Sequence, residues 1–223
     1  LELKTHTILV DYITDYSDGD TILSPQIFSL NGRAHDILAT ERLLLNLLSH
    51  LSGISTHTNE IVRIAKQVNP KVEILATRKT VPGLREFEKE AVVHGGGATH
   101  RMRLDDAILI KDNHLKLSKS IKESIELSRS KYPELMIEVE ADNEDQAIEI
   151  ATHGADRVML DNFTPQEAVK TIKKLRQISD IEIEISGGVT IKNVADYAES
   201  ADFISLGSLT MSSLPVDFSL HVI

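Results

Sequence analysis

Two cations stand side by side in Thr77-Arg78-Lys79-Thr80, at the end of a strand-like apolar run. Arginine offers a planar fork to a carboxylate or phosphate, and lysine supplies a compact point charge. His100 and Arg101 add two more donors shortly after Gly95-Gly96-Gly97, a triplet that is by itself a weak phosphate signal and gains value from this position. Lys111 opens Lys111-Asp112-Asn113-His114. A lysine in such a place grips a phosphate, donates a proton or forms a Schiff base, and the residue alone does not choose among these. Glu138 and Glu140 are two apart, so a strand puts them on one face, with Glu140 expected to be the exposed one. Asp161 ends the next run beside it. Paired carboxylates serve acid/base work, a divalent cation or sugar hydroxyls. Among so many cations, holding a Mg2+–phosphate ligand and its ribose fits best. Ser186-Gly187-Gly188-Val189-Thr190 sets a strand end, paired glycines and a helix start in sequence, which offers backbone N–H groups to phosphate. Gly207-Ser208 is placed to complete that cradle.

The elements that must position these residues follow from the apolar runs. Val72–Ala76, Ala107–Ile110, Met136–Val139, Val158–Leu160, Ile181–Ile185 and Phe203–Leu206 each end in the polar residues just described. Strands buried on both faces of a parallel sheet read in this way. Helical segments are expected between them at about 83–93, 116–131, 144–153, 165–178 and 190–199. Asn143, Thr164-Pro165 and Thr190 mark starts and Gly154 marks an end. Repeated βα units imply a parallel sheet with right-handed crossovers. Polar residues at nearly every strand end favour a barrel over an open sheet, which binds at one switch point. The fold class is therefore α/β, a β/α barrel with a strand-and-turn region at its N-terminal side that is too small to form a core alone. Residues 1–44 plus 212–223 form that smaller unit, the last dozen returning to a strand-like pattern, and 45–211 form the barrel. Thr40 is the expected N-cap of a helix carrying Leu43, Leu44, Leu47, Leu48 and Leu51. Ser52-Gly53 is expected to break it before a second helix at about 56–67. The chain opens on Leu1 rather than Met, so native residues are expected to precede it.

Composition excludes several classes. There is no cysteine among the 223 residues, which removes disulfides, thiolate metal sites and cysteine nucleophiles. A net charge of −10 argues against general nucleic-acid binding. Against that background Arg78, Lys79, His100, Arg101, Arg103, Lys111 and His114 form a local basic concentration, a candidate anion pocket. No apolar stretch is long enough for a membrane span and no signal peptide is visible, so the cytoplasm is the expected compartment.

In order and spacing, the chain resembles the quinolinate phosphoribosyltransferase family from about residue 36 to 210. The carrying segments are Glu41-Arg42 through Thr56, Ala76 to Arg85, Gly95 to Met102, Leu109 to His114, Glu138-Val139-Glu140, Met159 to Asn162 and Ser186-Gly187-Gly188. The resemblance implies a type II phosphoribosyltransferase, a pentosyltransferase of NAD biosynthesis, built as an incomplete β/α barrel with residues 1–44 plus 212–223 as a small, shortened N-terminal α/β sandwich domain. Quinolinate and 5-phosphoribosyl-1-pyrophosphate would yield nicotinate mononucleotide, pyrophosphate and CO2, with Mg2+ as cofactor. It further implies a homodimer or higher homo-oligomer, with Arg42 donated across the interface. Arg78, His100 and Arg101 match groups that hold the quinolinate carboxylates, and Lys79 and Lys111 match lysines around substrate and pyrophosphate. Glu140 and Asp161 match acids facing ribose and metal, while Ser186, Gly187 and Gly207 match the phosphate cradle. Met211 departs from the family, which usually carries His after Leu-Thr there. The rival expectations are a nicotinate phosphoribosyltransferase or metal-operon pyrophosphorylase of the same fold, and a non-catalytic binder of phosphate ligands.

Overall fold

The computed structural model describes residues 8–12, 15–118 and 120–222. Residues 1–7, 13 and 14 of the expected sandwich unit, and Ile223, lie outside the described residues. β1 (Ile8–Tyr12) and β2 (Phe28–Gly32) pair antiparallel, and β2 leads into the long helix α1 (Ala34–Val68). The chain then alternates: β3 (Glu73–Ala76), α2 (Arg85–His94), β4 (Ala98–Thr99), β5 (Ile108–Ile110), α3 (Asp112–Leu117), α4 (Ile121–Lys131) and β6 (Ile137–Ala141). It continues with α5 (Glu144–Thr152), β7 (Arg157–Asp161), α6 (Pro165–Ile178), β8 (Glu182–Ser186), α7 (Val194–Ala198), β9 (Phe203–Leu206) and α8 (Ser208–Met211).

Seven strands form one parallel sheet in the order β4-β3-β9-β8-β7-β6-β5. β4 and β5 are chain neighbours yet stand at opposite edges, so the curled sheet stays an incomplete barrel, as expected. The helices wrap it in the matching order α2-α1-α7-α6-α5-α4, each packed on the next. The second half of α1 thus fills a place in the helical shell, between α2 and α7.

The period of two along each strand divides its side chains. Ile74, Ala76, Ile137, Val139, Ala141, Val158, Leu160, Ile183, Ile185, Ile204 and Leu206 face the helices in one apolar core. Burying each Val, Ile or Leu of this set contributes roughly 1.5–3 kcal/mol, and each Ala less. The alternate set faces the barrel interior and is largely polar: Glu138, Glu140, Arg157, Glu184 and Ser205 are all buried. Strand-to-helix turns follow local chemistry. Thr164 and Glu167 form a reciprocal cap with Pro165 in the first turn of α6, and Asn143 accepts from Gln146 N to start α5.

Four expectations change. α1 is continuous where a break at Ser52-Gly53 and a start at Thr40 are expected, so the expected boundary between 44 and 45 falls inside a helix. Gly53 serves a close approach: a Cβ there would lie 2.2 Å from the carbonyl oxygen of Leu214. The helix expected at 116–131 is two, because Ser120 caps a fresh helix by accepting from Glu123 N. The helix expected at 190–199 shrinks to α7, because Asn193 Oδ1 takes up both the N–H and the hydroxyl of Thr190. Finally, residues 212–222 contain no strand; they lie against α1, with Val216 N donating to Ser49 O.

Replacing Gly53 by Ala is therefore expected to cost about 1–3 kcal/mol by forcing the C-terminal segment off α1. A thermal melt of the variant should show Tm lowered by several degrees, and an unchanged Tm would show that this contact contributes little.

Candidate active site

The sequence-expected residues meet at the C-terminal rim of the sheet in two groups. In the first, Lys111 follows β5 and its Nζ donates to Glu140 Oε2 on β6. Glu140 is buried rather than exposed, because the curl of the sheet closes over β6. Asp161 ends β7, in register with Ser186 at the end of β8. Burial first, then the charge of Glu140, holds the Asp161 carboxyl above its ordinary range, while Lys111 and Lys79 work against that rise. Those mutual influences place Lys79, Lys111, Glu140 and Asp161 in one electrostatic cluster. Lys79 is fixed from below by the chain that follows β9: Thr210 Oγ1 on α8 donates to its carbonyl at 2.5 Å, and its aliphatic stem crosses Gly207, where a Cβ would stand 2.7 Å from Lys79 Cδ. Gly187 adopts φ +82, and a Cβ there would strike Asn162 Oδ1 at 2.3 Å. Asn162 itself has φ 58 and donates to Asp161 Oδ2 at 2.6 Å.

The second group lies over β4. Arg78 carries a buried Nε with no hydrogen-bond partner among the described residues. Arg101 is half-buried and donates to Ala107 O at 3.2 Å. His100 turns inward: its Nε2 is 2.9 Å from Glu138 Oε2 on β6 and 3.4 Å from Glu184 Oε2 on β8. Arg157, stacked 3.8 Å over the Phe203 ring, reaches Glu184 at 3.3 Å from the other side. Burial opposes charge on the His100 ring, yet the two carboxylates outweigh it and raise its pKa to about 9. The ring geometry points to a different state. Nδ1 accepts the Arg101 backbone N–H at 2.8 Å, and a proton on Nδ1 would meet that N–H head-on. The neutral ring therefore carries its proton on Nε2, which lies within ion-pair range of Glu138 and Glu184 without an aligned hydrogen bond.

His100, Glu138 and Glu184 offer three ligand atoms within 4.8 Å of one another. They do not suit a metal ion, because a metal-ligating histidine donates its other ring N–H and here that nitrogen is an acceptor. Arg157 already supplies the cationic partner. Glu140 and Asp161 suit a hard divalent ion better, as neighbouring oxygen donors on the rim.

Residues 54–221 match the family described as quinolinate phosphoribosyl transferase, C-terminal domain. The chain belongs to the quinolinate phosphoribosyltransferase family. It is 44% identical over 211 residues to a probable nicotinate-nucleotide pyrophosphorylase [carboxylating] of Archaeoglobus fulgidus, covering 92% of this chain and 81% of that one. The human nicotinate-nucleotide pyrophosphorylase [carboxylating] is 35% identical over 200 residues, covering 88% and 67%. Among solved structures, NadC from Streptococcus pyogenes superposes with a TM-score of 0.87 at 35% identity, covering 95% of this chain and 74% of that one.

Two residues singled out by the resemblance, Arg42 as a match and Met211 as a departure, stand away from the rim cluster. Arg42 is 76% exposed on α1 and its one ion pair among the described residues, at 3.9 Å, is with Glu41. Met211 is exposed at the end of α8. The Gly95-Gly96-Gly97 triplet allows close packing against α1 and α2: Cβ atoms at Gly95 and Gly97 would collide with Ser55 O at 2.5 Å and Val92 Cγ1 at 2.8 Å. Sequence reasoning missed Lys89, Arg157 and Glu184. For Glu184 a signal existed, since Glu182-Ile183-Glu184-Ile185-Ser186 alternates as Ile137-Glu138-Val139-Glu140 does.

Truncating Glu184 to Ala takes one of two carboxylates from each of the buried cations, leaving His100 with Glu138 and Arg157 with Glu182, and should destabilise the fold by about 1–3 kcal/mol. Urea unfolding measures this directly; a loss no larger than that of a surface substitution would mean the cluster holds nothing together.

Proposed function

We propose that this enzyme joins quinolinate to the phosphoribosyl group of 5-phosphoribosyl-1-pyrophosphate, releasing pyrophosphate and CO2 and leaving nicotinate mononucleotide. The observation that carries this reading is the unpartnered, buried Arg78 Nε beside Arg101, on the same rim as Lys79, Lys111, Glu140 and Asp161. A dianion and a polyanion can approach each other only where fixed cations offset their repulsion. Arg78 and Arg101 receive the two ring carboxylates, and His100 supports Arg101 from beneath. The quinolinate nitrogen attacks the anomeric carbon as its bond to pyrophosphate oxygen breaks. Positive charge grows on the ribose, where Glu140 and Asp161 stand. Negative charge grows on the leaving group, where Lys79 and Lys111 stand. The carboxylate next to the alkylated nitrogen then leaves as CO2, and the ring carbon keeps the electron pair until it takes a proton. Ser186, Gly187 and Gly207 surround the monophosphate end.

Mg2+ fits the carboxylate pair of Glu140 and Asp161, directly or through substrate oxygens. When bound it supplies neutralisation of the pyrophosphate charge. Arg42 serves a neighbouring copy of the chain in this reading; the exposed Leu38 and Leu43 beside it give that stretch of α1 an apolar surface for association. No helix among the described residues is long and apolar enough to cross a membrane. A cysteine-free protein gains nothing from an oxidising compartment, and we assign it to the cytoplasm.

Arg101→Ala and Lys111→Ala should each lower kcat/KM by roughly a hundredfold or more while leaving the melt unchanged. Labelled CO2 released from quinolinate reports turnover, and a wild-type enzyme that uses nicotinate but not quinolinate would overturn the assignment. Arg42→Ala and Lys111→Ala subunits, each inactive alone, should recover activity when mixed and reassembled. Mixing without recovery would place Arg42 outside the site.

A further inference from the structure

Lys89 is 1% exposed and among the largest fully buried side chains, although it sits on the charged helix α2. Its Nζ donates to His100 O at 2.8 Å and to Arg101 O at 2.7 Å. The charged groups that face it are Arg85 from α2, Arg78 from the loop after β3, Arg101 from the loop after β4 and Asp106 from the stretch before β5. Only Asp106 favours its charge, and the Asp106 carboxylate is committed to the N–H groups of Met102 and Arg103 at 2.6 and 2.9 Å. The adjacent Glu88 is turned to His50 and Val81 N. A buried ammonium surrounded by three guanidinium groups lacks counter-charge, and a buried charge is costly until it is paired.

We infer that Lys89 is a positioning residue of the dicarboxylate site: it fixes the His100–Arg101 backbone that aims the Arg101 guanidinium, and the bound dianion completes its charge balance. This rests on the quinolinate reading above. Burial foremost, then Arg85, lowers the ammonium to about 8. A dianion seated by Arg78 and Arg101 opposes that lowering, so binding takes up a proton near this pH. A neutral amine still has two N–H groups for the two carbonyls, so raising the pH removes the charge and spares the clamp. Stability moves the other way. The folded value lies below the unfolded 10.5, so charged Lys89 costs stability below about pH 8, and the cost fades as pH rises from there towards 10.5. A merely structural lysine would not set affinity against stability in this manner.

The test is calorimetric titration of the intact enzyme with quinolinate alone, near pH 8, in two buffers of different ionisation enthalpy. Wild type should take up a proton on binding and bind more weakly as the pH climbs further. Lys89→Arg should lose the uptake and the pH dependence while retaining binding. Lys89→Met should raise the KM for quinolinate on the order of tenfold or more with a smaller change in kcat. Wild-type binding without proton uptake overturns the inference, as does a Lys89→Met enzyme with wild-type KM and pH profile. If the Met variant fails to fold, the wild-type buffer pair decides alone. A wild type that binds no quinolinate overturns the functional reading instead.

Discussion

The structure depends on holding like charges together. Arg78, Lys79, Arg101 and Lys111 gather on one rim, and Lys89 lies just beneath, in a protein whose net charge is −10. Their mutual repulsion is offset from below, by carboxylates that the pleat turns into the barrel. Glu140 meets Lys111, Glu138 and Glu184 meet His100, and Arg157 ties Glu184 to Glu182. The pocket is left with cationic excess where substrate would lie and is nearly balanced one layer deeper. That gradient is what a site for two anions requires.

Such an interior is affordable only because the other face of every strand is apolar. A conventional barrel of this kind fills its inside with branched aliphatic side chains. Here Leu75, Leu109 and Met159 supply a little of that, and the wall between sheet and helices carries the core. The two faces of one strand thus do different jobs at a spacing of two residues, with Val139 and Ile185 facing helices while Glu138, Glu140 and Glu184 face the chemistry.

Much of this was legible in the sequence, for a physical reason. Strand ends carry both a turn and a function, so Thr77-Arg78-Lys79-Thr80, Lys111, Asp161 and Ser186-Gly187-Gly188 announce themselves by local chemistry. Caps such as Thr164 and Asn143 do so too, since their bonds span only three residues. What escaped depends on distant partners. Gly53 reads as a helix break until Leu214 is laid over it, and Gly95 and Gly97 read as a loop until α1 and β3 arrive. α2 inverts the usual pattern altogether: Phe87 is 54% exposed while Lys89 is 1% exposed. No periodicity in Arg85–His94 reveals that, because the residues that make Lys89 welcome are two carbonyls on another loop.

The inversion has a cause in the shape of the sheet. β4 is only two residues long, and after His100 N donates to Ala76 O of β3 the chain leaves the sheet. The carbonyls of His100 and Arg101 and the N–H of Arg101 must find partners elsewhere, since unpaired buried peptide groups are costly. Lys89 takes the two carbonyls, His100 Nδ1 takes the Arg101 N–H, and Asp106 takes the next two N–H groups. A full strand at this edge would have satisfied the same groups, but its side chains would alternate across the sheet. It could not have sent His100 inward to β6 and β8 while leaving Arg101 beside Arg78. Incomplete closure of the barrel is therefore the condition under which side chains can hold this segment, and it lets two adjacent residues serve the barrel floor and the anion pocket at once.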